Sequence, residues 1–287
     1  MLLSEKLLDT LLQGKKKLSH EAQKRITSFV GSQLTENGAF TNKNGNDDLY
    51  YTSFGLMLAY VLKLHINTAH TNQWLDTQND KLSDLLNCAA YLRSRMLCRL
   101  LKTGRLNLAL SRMFNTKQTL PLFSDYPHGD MYSPYSQYIL LSLKEEMGIE
   151  TTNRQEILTS LSSYRIATGG YSNIKGSKQA TTNATVAALA VRGQLCGYQD
   201  NEDIRYLFST QNESGGFYAN ALAPVPDLLS TATALFLLKC YGLTPRINAG
   251  NFIDAHWQSS GGFAATLMDD RCDVEYTFYG LLALGSV

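Results

Sequence analysis

FSTQNESGGFYANALAPVPDLLSTATALFLL, residues 208–238, reads as the end of one helix, a glycine turn, a variable loop and the start of a second helix. The same text recurs through the C-terminal half. Glycine pairs stand at 169–170, 215–216 and 261–262, two intervals of 46 residues, and each is followed by an aromatic residue: Tyr171, Phe217 or Phe263. Counting 12 residues from the first glycine reaches Thr181, Asp227 and Asp273; four further on stand Thr185, Thr231 and Thr277, and four beyond that Leu189, Leu235 and Leu281. Offsets of four and eight fall on one helical face, and Thr or Asp at the head of such a run is a helix cap. Helical hairpins repeating at this period are the signature of a solenoid or a ring, in which each hairpin needs its neighbour to bury its apolar face.

The N-terminal part carries the pattern with a shorter loop. NGAFTNKNGNDDLYYTSFGLMLAY (37–60) supplies Phe40, Asp48, Thr52 and Leu56, and DLYYTSFGL (48–56) is the nearest match to DVEYTFYGL (273–281). SPYSQYILLSL (133–143) supplies Ser136 and Leu140, 49 residues before Thr185 and Leu189, without a glycine pair. DLLNCAAYL (84–92) is a candidate further unit, with Asp84, Cys88 and Leu92, but TNQWLDTQND (71–80) ahead of it makes a poor apolar helix. First helices are expected after Asn201-Glu202-Asp203 and at Thr244-Pro245, a cap followed by proline at the first helical position; Gly197 and Gly242 close second helices. The expected organisation is one all-α domain over 1–287, with units 20–64, 66–102, 104–147, 151–197, 200–243 and 245–287 and insertions at 66–82 and 116–132.

Composition narrows the function classes. A formal charge of +1 gives no electrostatic reason to expect nucleic acid or an anionic membrane as partner. No stretch has the continuous apolar length of a membrane span, and MLLSEKLLDTLLQGKKK does not read as a secretory signal. The five cysteines, at irregular spacing, form neither a disulfide framework nor a zinc ribbon, so a reducing cytoplasm is the expected compartment.

The segment 208–238 and GGFAATLMDDRCDVEYTFYGLLAL (261–284) resemble the repeat of the protein prenyltransferase beta subunits and of squalene and other class II terpene cyclases, with Gln211, Gly215, Gly216, Phe217 and Asp227 at the matching positions. The resemblance covers residues 150–287 and 20–64. It implies an alpha/alpha toroid of five to six hairpins, whose inner helices start at one mouth and line an apolar cavity that holds an isoprenoid chain in that family. It also implies a helical protein partner or self-association. Tyr51, Phe54, Tyr135, Tyr138, Tyr276 and Tyr279 suit an aromatic cavity wall, since ring faces contact a polyene or stabilise a cation; packing between helices is the competing reading.

Carried over residue by residue, the zinc ligands of protein prenyltransferases fall on Asp227, Leu229 and Tyr276, so thiolate and imidazole are both missing and no tightly bound zinc is expected. There is no DxDD acid of the class II cyclases, the nearest string being DDRCD (269–273), and no Walker-type phosphate loop. What remains is acid at helix starts: Asp47 and Asp48 in the first unit, Asp269, Asp270, Asp273 and Glu275 in the last, which become neighbours across the seam of a closed ring. An Asp at a helix start is first of all a cap, worth about 1 kcal/mol, but two or more acids at each end exceed what capping needs. Asp48, Asp273 and Glu275 are therefore candidate catalytic groups or oxygen ligands for a divalent ion such as magnesium, and the family geometry adds His128 and Asp130 near the mouth. Three readings stand side by side: a transferase or cyclase acting on a hydrophobic, isoprenoid-type substrate; a noncatalytic lipid carrier or docking scaffold; and an alpha/alpha-barrel carbohydrate enzyme with paired carboxylates, against which the glycine repeat speaks.

Overall fold

The computed structural model describes residues 3–78, 80, 82, 84–104, 131–197 and 201–287. Helix α1 (Leu3–Lys17) precedes five hairpins whose two helices are both described: α2 (His20–Ser32) with α3 (Leu49–Leu62), α4 (Thr68–Asp76) with α5 (Leu85–Thr103), α7 (Arg154–Ser162) with α8 (Thr182–Cys196), α9 (Asn201–Ser209) with α10 (Leu228–Cys240), and α11 (Gly250–Ala255) with α12 (Val274–Ser286). Helix α6 (Pro134–Glu146) stands between the second and third of these. In space α3 packs on α5, α5 on α6, α6 on α8, α8 on α10, α10 on α12, and α12 again on α3. Six inner helices therefore close a ring, with α2, α4, α7 and α11 on its outer side.

One local arrangement, repeated, explains why these residues fold this way. The inner helices begin at Asp48, Asp84, Ser133, Thr181, Asp227 and Asp273, whose side chains accept from the backbone N–H groups of Tyr51, Asn87, Ser136, Ala184, Ser230 and Tyr276. Four residues in, Thr52, Thr185, Thr231 and Thr277 are buried, and their hydroxyls accept from the N–H of Phe40, Tyr171, Phe217 and Phe263. A buried amide left without that partner would cost about 1–3 kcal/mol. The aromatic residue is the middle rung of a short antiparallel ladder, as Phe217 between Gln211 and Asp227, and its ring lies on a small residue of the inner helix. A methyl group on Gly55 would meet the Phe40 ring at 2.2 Å and one on Gly280 the Phe263 ring at 2.3 Å. The glycine pair is needed for a second reason: Gly261 has φ +94 and approaches the Arg25 carbonyl so closely that a Cβ would stand 2.5 Å from it.

Three expectations change. The polar stretch from Thr68 to Asp76 is an outer helix, α4, capped by Asn67 and anchored by Thr71 and Leu75, and not an insertion; it is short and buries too little to show a period. Helix α11 starts at Gly250 without a side-chain cap, so Thr244-Pro245 is loop. In the third unit Ser133 is the cap, which puts Gln137 where threonine stands elsewhere, one residue later than the match through Ser136. Gln137 is buried and its amide donates to the Met131 carbonyl. The expected insertion at 116–132 lies almost wholly outside the described residues.

Helix α1 is not part of a hairpin. It packs on α12 and also on α6, which stands across the ring from α12, and it touches α3 and α10. Its contacts are with the C-terminal ends of the inner helices: the Leu3 N–H donates to Glu145 on α6, the Lys15 ammonium to the Val61 carbonyl on α3, and the Gln13 amide oxygen accepts from Lys239 on α10. Lysines placed there suit the negative ends of the helix dipoles. Helix α1 thus lies across the base of the ring, leaving the end where the inner helices begin as the mouth.

Candidate functional site at the mouth of the ring

The face of each inner helix that opposes its buried threonine points to the ring axis. Two positions after the caps this face carries Tyr50, Leu86, Tyr135, Asn183, Leu229 and Glu275; four further in it carries Phe54, Ala90, Ile139, Ala187, Thr233 and Tyr279. Tyr50, Phe54, Leu229, Glu275 and Tyr279 are only partly buried although they sit on inner helices. The rings form a connected wall on one side: Tyr50 and Phe54 have centroids 4.9 Å apart, Phe54 and Phe278 5.0 Å, Phe278 and Tyr279 5.3 Å. Asn183 and Thr233 are hydrogen-bonded across α8 and α10 at 2.9 Å.

Of the aromatic residues singled out by sequence, Phe54, Tyr135, Tyr138 and Tyr279 stand on or beside this axial face, whereas Tyr51 and Tyr276 stand at the seam between α3 and α12, nearer the rim. Burial pushes the Tyr138 hydroxyl up to about 12, with Arg93 opposing. Beside it, buried Glu146 of α6 pairs with Arg93 of α5 at 3.3 Å. Burial raises the Glu146 carboxyl against the pull of Arg93. Neither residue was singled out by sequence, because nothing in the chain order announces that positions 93 and 146 meet.

The acids of the first and last units do come together, and a lysine sits among them. The Lys43 ammonium, from the loop before α3, lies 2.8 Å from Asp269 and 3.7 Å from Asp273, and 4.9 Å from the centre of the Tyr276 ring. Burial acts to lower the Lys43 pKa, but the hydrogen bond to Asp269 and the charge of Asp273 outweigh it and raise it; the same bond lowers the pKa of Asp269. Asp273 is 1% exposed. One of its oxygens caps α12 through the Tyr276 N–H at 2.7 Å, and the other is buried without a hydrogen bond. Burial raises its pKa, opposed by that N–H and by Lys43.

Glu275 is not a cap. It accepts from the Tyr50 hydroxyl at 2.8 Å, and burial raises its pKa while that bond lowers it. Tyr50, which joins it, was missed in the sequence because attention fell on its neighbour Tyr51. Asp48 caps α3 and lies 3.4 Å from the Asn42 amide; Asp47 is bound by Asn37 at 2.8 Å.

His128 and Asp130 lie outside the described residues. Among the described residues no three His, Cys, Asp or Glu side chains are grouped to hold a metal ion. The divalent site expected from Asp48, Asp273 and Glu275 is therefore not assembled: two of these carboxylates are committed as caps, and Lys43 supplies the local positive charge. Asp227, at the head of the inherited zinc pattern, is occupied by the Ser230 N–H and hydroxyl, with Leu229 beside it.

A closed ring of helical hairpins with a glycine-aromatic turn in each unit defines an alpha/alpha toroid. The family description "prenyltransferase alpha-alpha toroid domain" matches residues 3–91 and 130–283, and the chain belongs to that family. Among solved structures it is similar to Candida albicans protein geranylgeranyltransferase-I complexed with GGPP, at 16% identity and a TM-score of 0.48, over 98% of this chain and 82% of that one. No curated protein matches the chain. No described helix is long and apolar enough to cross a membrane.

Proposed function

We propose that this toroid binds an apolar chain of isoprenoid type along its axis, inserted through the mouth and stopped at the base by α1. The observation that carries the reading is the axial wall of Tyr50, Phe54 and Tyr279, large rings left partly uncovered on helices whose other faces are buried. Ring faces of this kind favour a polyene, and the half-buried Glu275, held by Tyr50, is the carboxyl group placed to give or take a proton at the mouth. Lys43, Asp269 and Asp273 then act as a clasp beside it rather than as a metal site.

Titration with a dansyl-labelled farnesyl probe tests this directly. Saturable binding at one site, displaced by unlabelled farnesol and weakened about tenfold by Tyr279→Ala, is the expected result. Absence of saturable binding would sink it. The ring-to-ring contacts of Phe54 with Phe278 would then be packing alone, and the toroid would be a scaffold.

A further inference from the structure

The loops that lead into α8, α10 and α12 carry large apolar side chains held out into solvent. Ile174 is 71% exposed, Leu222 81%, Leu267 65% and Met268 86%, and Val225 is exposed beside them. All five occupy the same place in three successive repeats, between the glycine turn and the cap of the inner helix. Every one therefore stands at the mouth end. Leu86 and Tyr135, exposed at the starts of α5 and α6, continue the rim. Isolated exposed leucines need no explanation, but a ring of them at one end of a molecule does.

The loops are joined to one another. The Gln179 amide donates to Asn220 at 2.9 Å, the Thr182 N–H to the Ala219 carbonyl at 2.8 Å, and the Leu228 N–H to the Ala265 carbonyl at 3.0 Å. The projecting side chains thus share one braced edge. Their charge setting is selective: residues 172–180 contain Lys175 and Lys178 and no acid, and residues 218–226 contain no charged residue. In the third loop Asp269 is already paired with Lys43.

We propose that this rim seats the toroid, mouth down, on a lipid bilayer surface, with Ile174, Leu222, Leu267 and Met268 inserted among acyl chains and Lys175 and Lys178 at the phosphate level. Side chains that project singly from loop tips penetrate a fluid phase, whereas a protein interface centres on a packed, continuous patch. Lysines without acids complement lipid phosphates. The near-zero net charge of the chain does not bear against this, because the two acid-free loops face the headgroups locally. The inference stands on the exposure pattern; only its use, passing an apolar ligand to the axis without crossing water, rests on the proposed function.

Co-sedimentation of the full chain with phosphatidylcholine vesicles, and with vesicles also containing phosphatidylserine, tests it. The wild type should pellet with both. Leu222→Asp combined with Met268→Asp should cut partitioning by about a hundredfold, tenfold for each side chain withdrawn. Lys175→Glu should reduce only the increment due to phosphatidylserine, by about fivefold. Both apolar positions are so exposed that the melting temperature should not move. Wild type left in the supernatant with both vesicles would overturn the proposal, as would undiminished pelleting of the double variant. A change of oligomeric state in the double variant without vesicle binding would overturn it in favour of a protein contact. The farnesyl probe separates the two readings, since the double variant should bind it as the wild type does in solution.

Discussion

The ring is joined in contrasting ways at two of its junctions. Between α12 and α3, the last hairpin and the first, the join is aromatic and aliphatic: Phe54, Phe278 and Tyr279 stack, Leu281 and Leu282 are buried in the main core, and α1 crosses beneath. Charge crosses that seam at the mouth, where Lys43 and Asp269 are both partly solvated. Between α5 and α6 the apolar cluster is small, Cys88, Ala89, Leu92, Ile139 and Leu143, and the Arg93–Glu146 pair is set inside. The seam is thus closed by area and the second junction is keyed by charge. A buried pair contributes little net stability but is costly to break on one side, whereas an exposed pair is cheap either way.

Removing residues 273–287 should have the largest effect, because it strips α3, α10 and α1 of a common partner. Val274, Phe278, Leu281 and Leu282 are each worth about 1.5–3 kcal/mol when fully covered, which together approaches the whole stability of a domain. Cooperative thermal unfolding followed by circular dichroism should disappear; an unchanged melt would mean that the ring does not depend on its seam. Next comes Glu146→Ala, which strands Arg93 and should cost about 3–5 kcal/mol in chemical denaturation. The paired change Arg93→Met with Glu146→Leu should recover most of that loss. If the single variant proves neutral, the contrast drawn between the junctions fails.

Gly285→Ala probes the seam at its tightest point, since a Cβ there would stand 1.9 Å from the Thr10 carbonyl oxygen. Backbone must shift to admit it, at a cost of about 1–3 kcal/mol. Lys43→Ala should be smallest, below about 1 kcal/mol and further reduced by salt. Its pH signature is specific. Lys43 lowers the Asp269 pKa, so the pair's stabilisation is present above about pH 4, where the unfolded carboxyl ionises, and is lost as pH falls through the depressed folded value. Glu275, raised by burial, works in the opposite sense: stability declines as pH rises from the unfolded value through the folded one. Stability curves of Lys43→Ala and Glu275→Gln against pH should therefore lose slopes of opposite sign.

The repeats were legible because each fixes the same local necessities. A cap oxygen, a threonine to hold the aromatic N–H, and glycine or alanine beneath the ring recur at set intervals, as in Asp273, Thr277 and Gly280. Where a unit meets those needs by other means, the reading slips: Gln137 stands in for threonine, and α4 buries only Thr71 and Leu75. The role of α1 was hidden, since its apolar side answers to helices far along the chain rather than to a repeat partner. At the mouth the acids were visible as helix starts, and their meeting across the seam followed from ring closure. Their partners Lys43 and Tyr50 were not, because a loop residue's reach depends on the folded loop.

Helix α1 sets the order in which the molecule can be completed. Its partner α12 lies more than 250 residues away along the chain, so the base of the ring is among the last surfaces formed during synthesis. Until α12 emerges, Leu8 and Leu11 have no final resting place and the open edges of α3 and α10 stay uncovered. A nascent chain in that state presents the kind of apolar surface that chaperones recognise, and only the arrival of the last helix withdraws it.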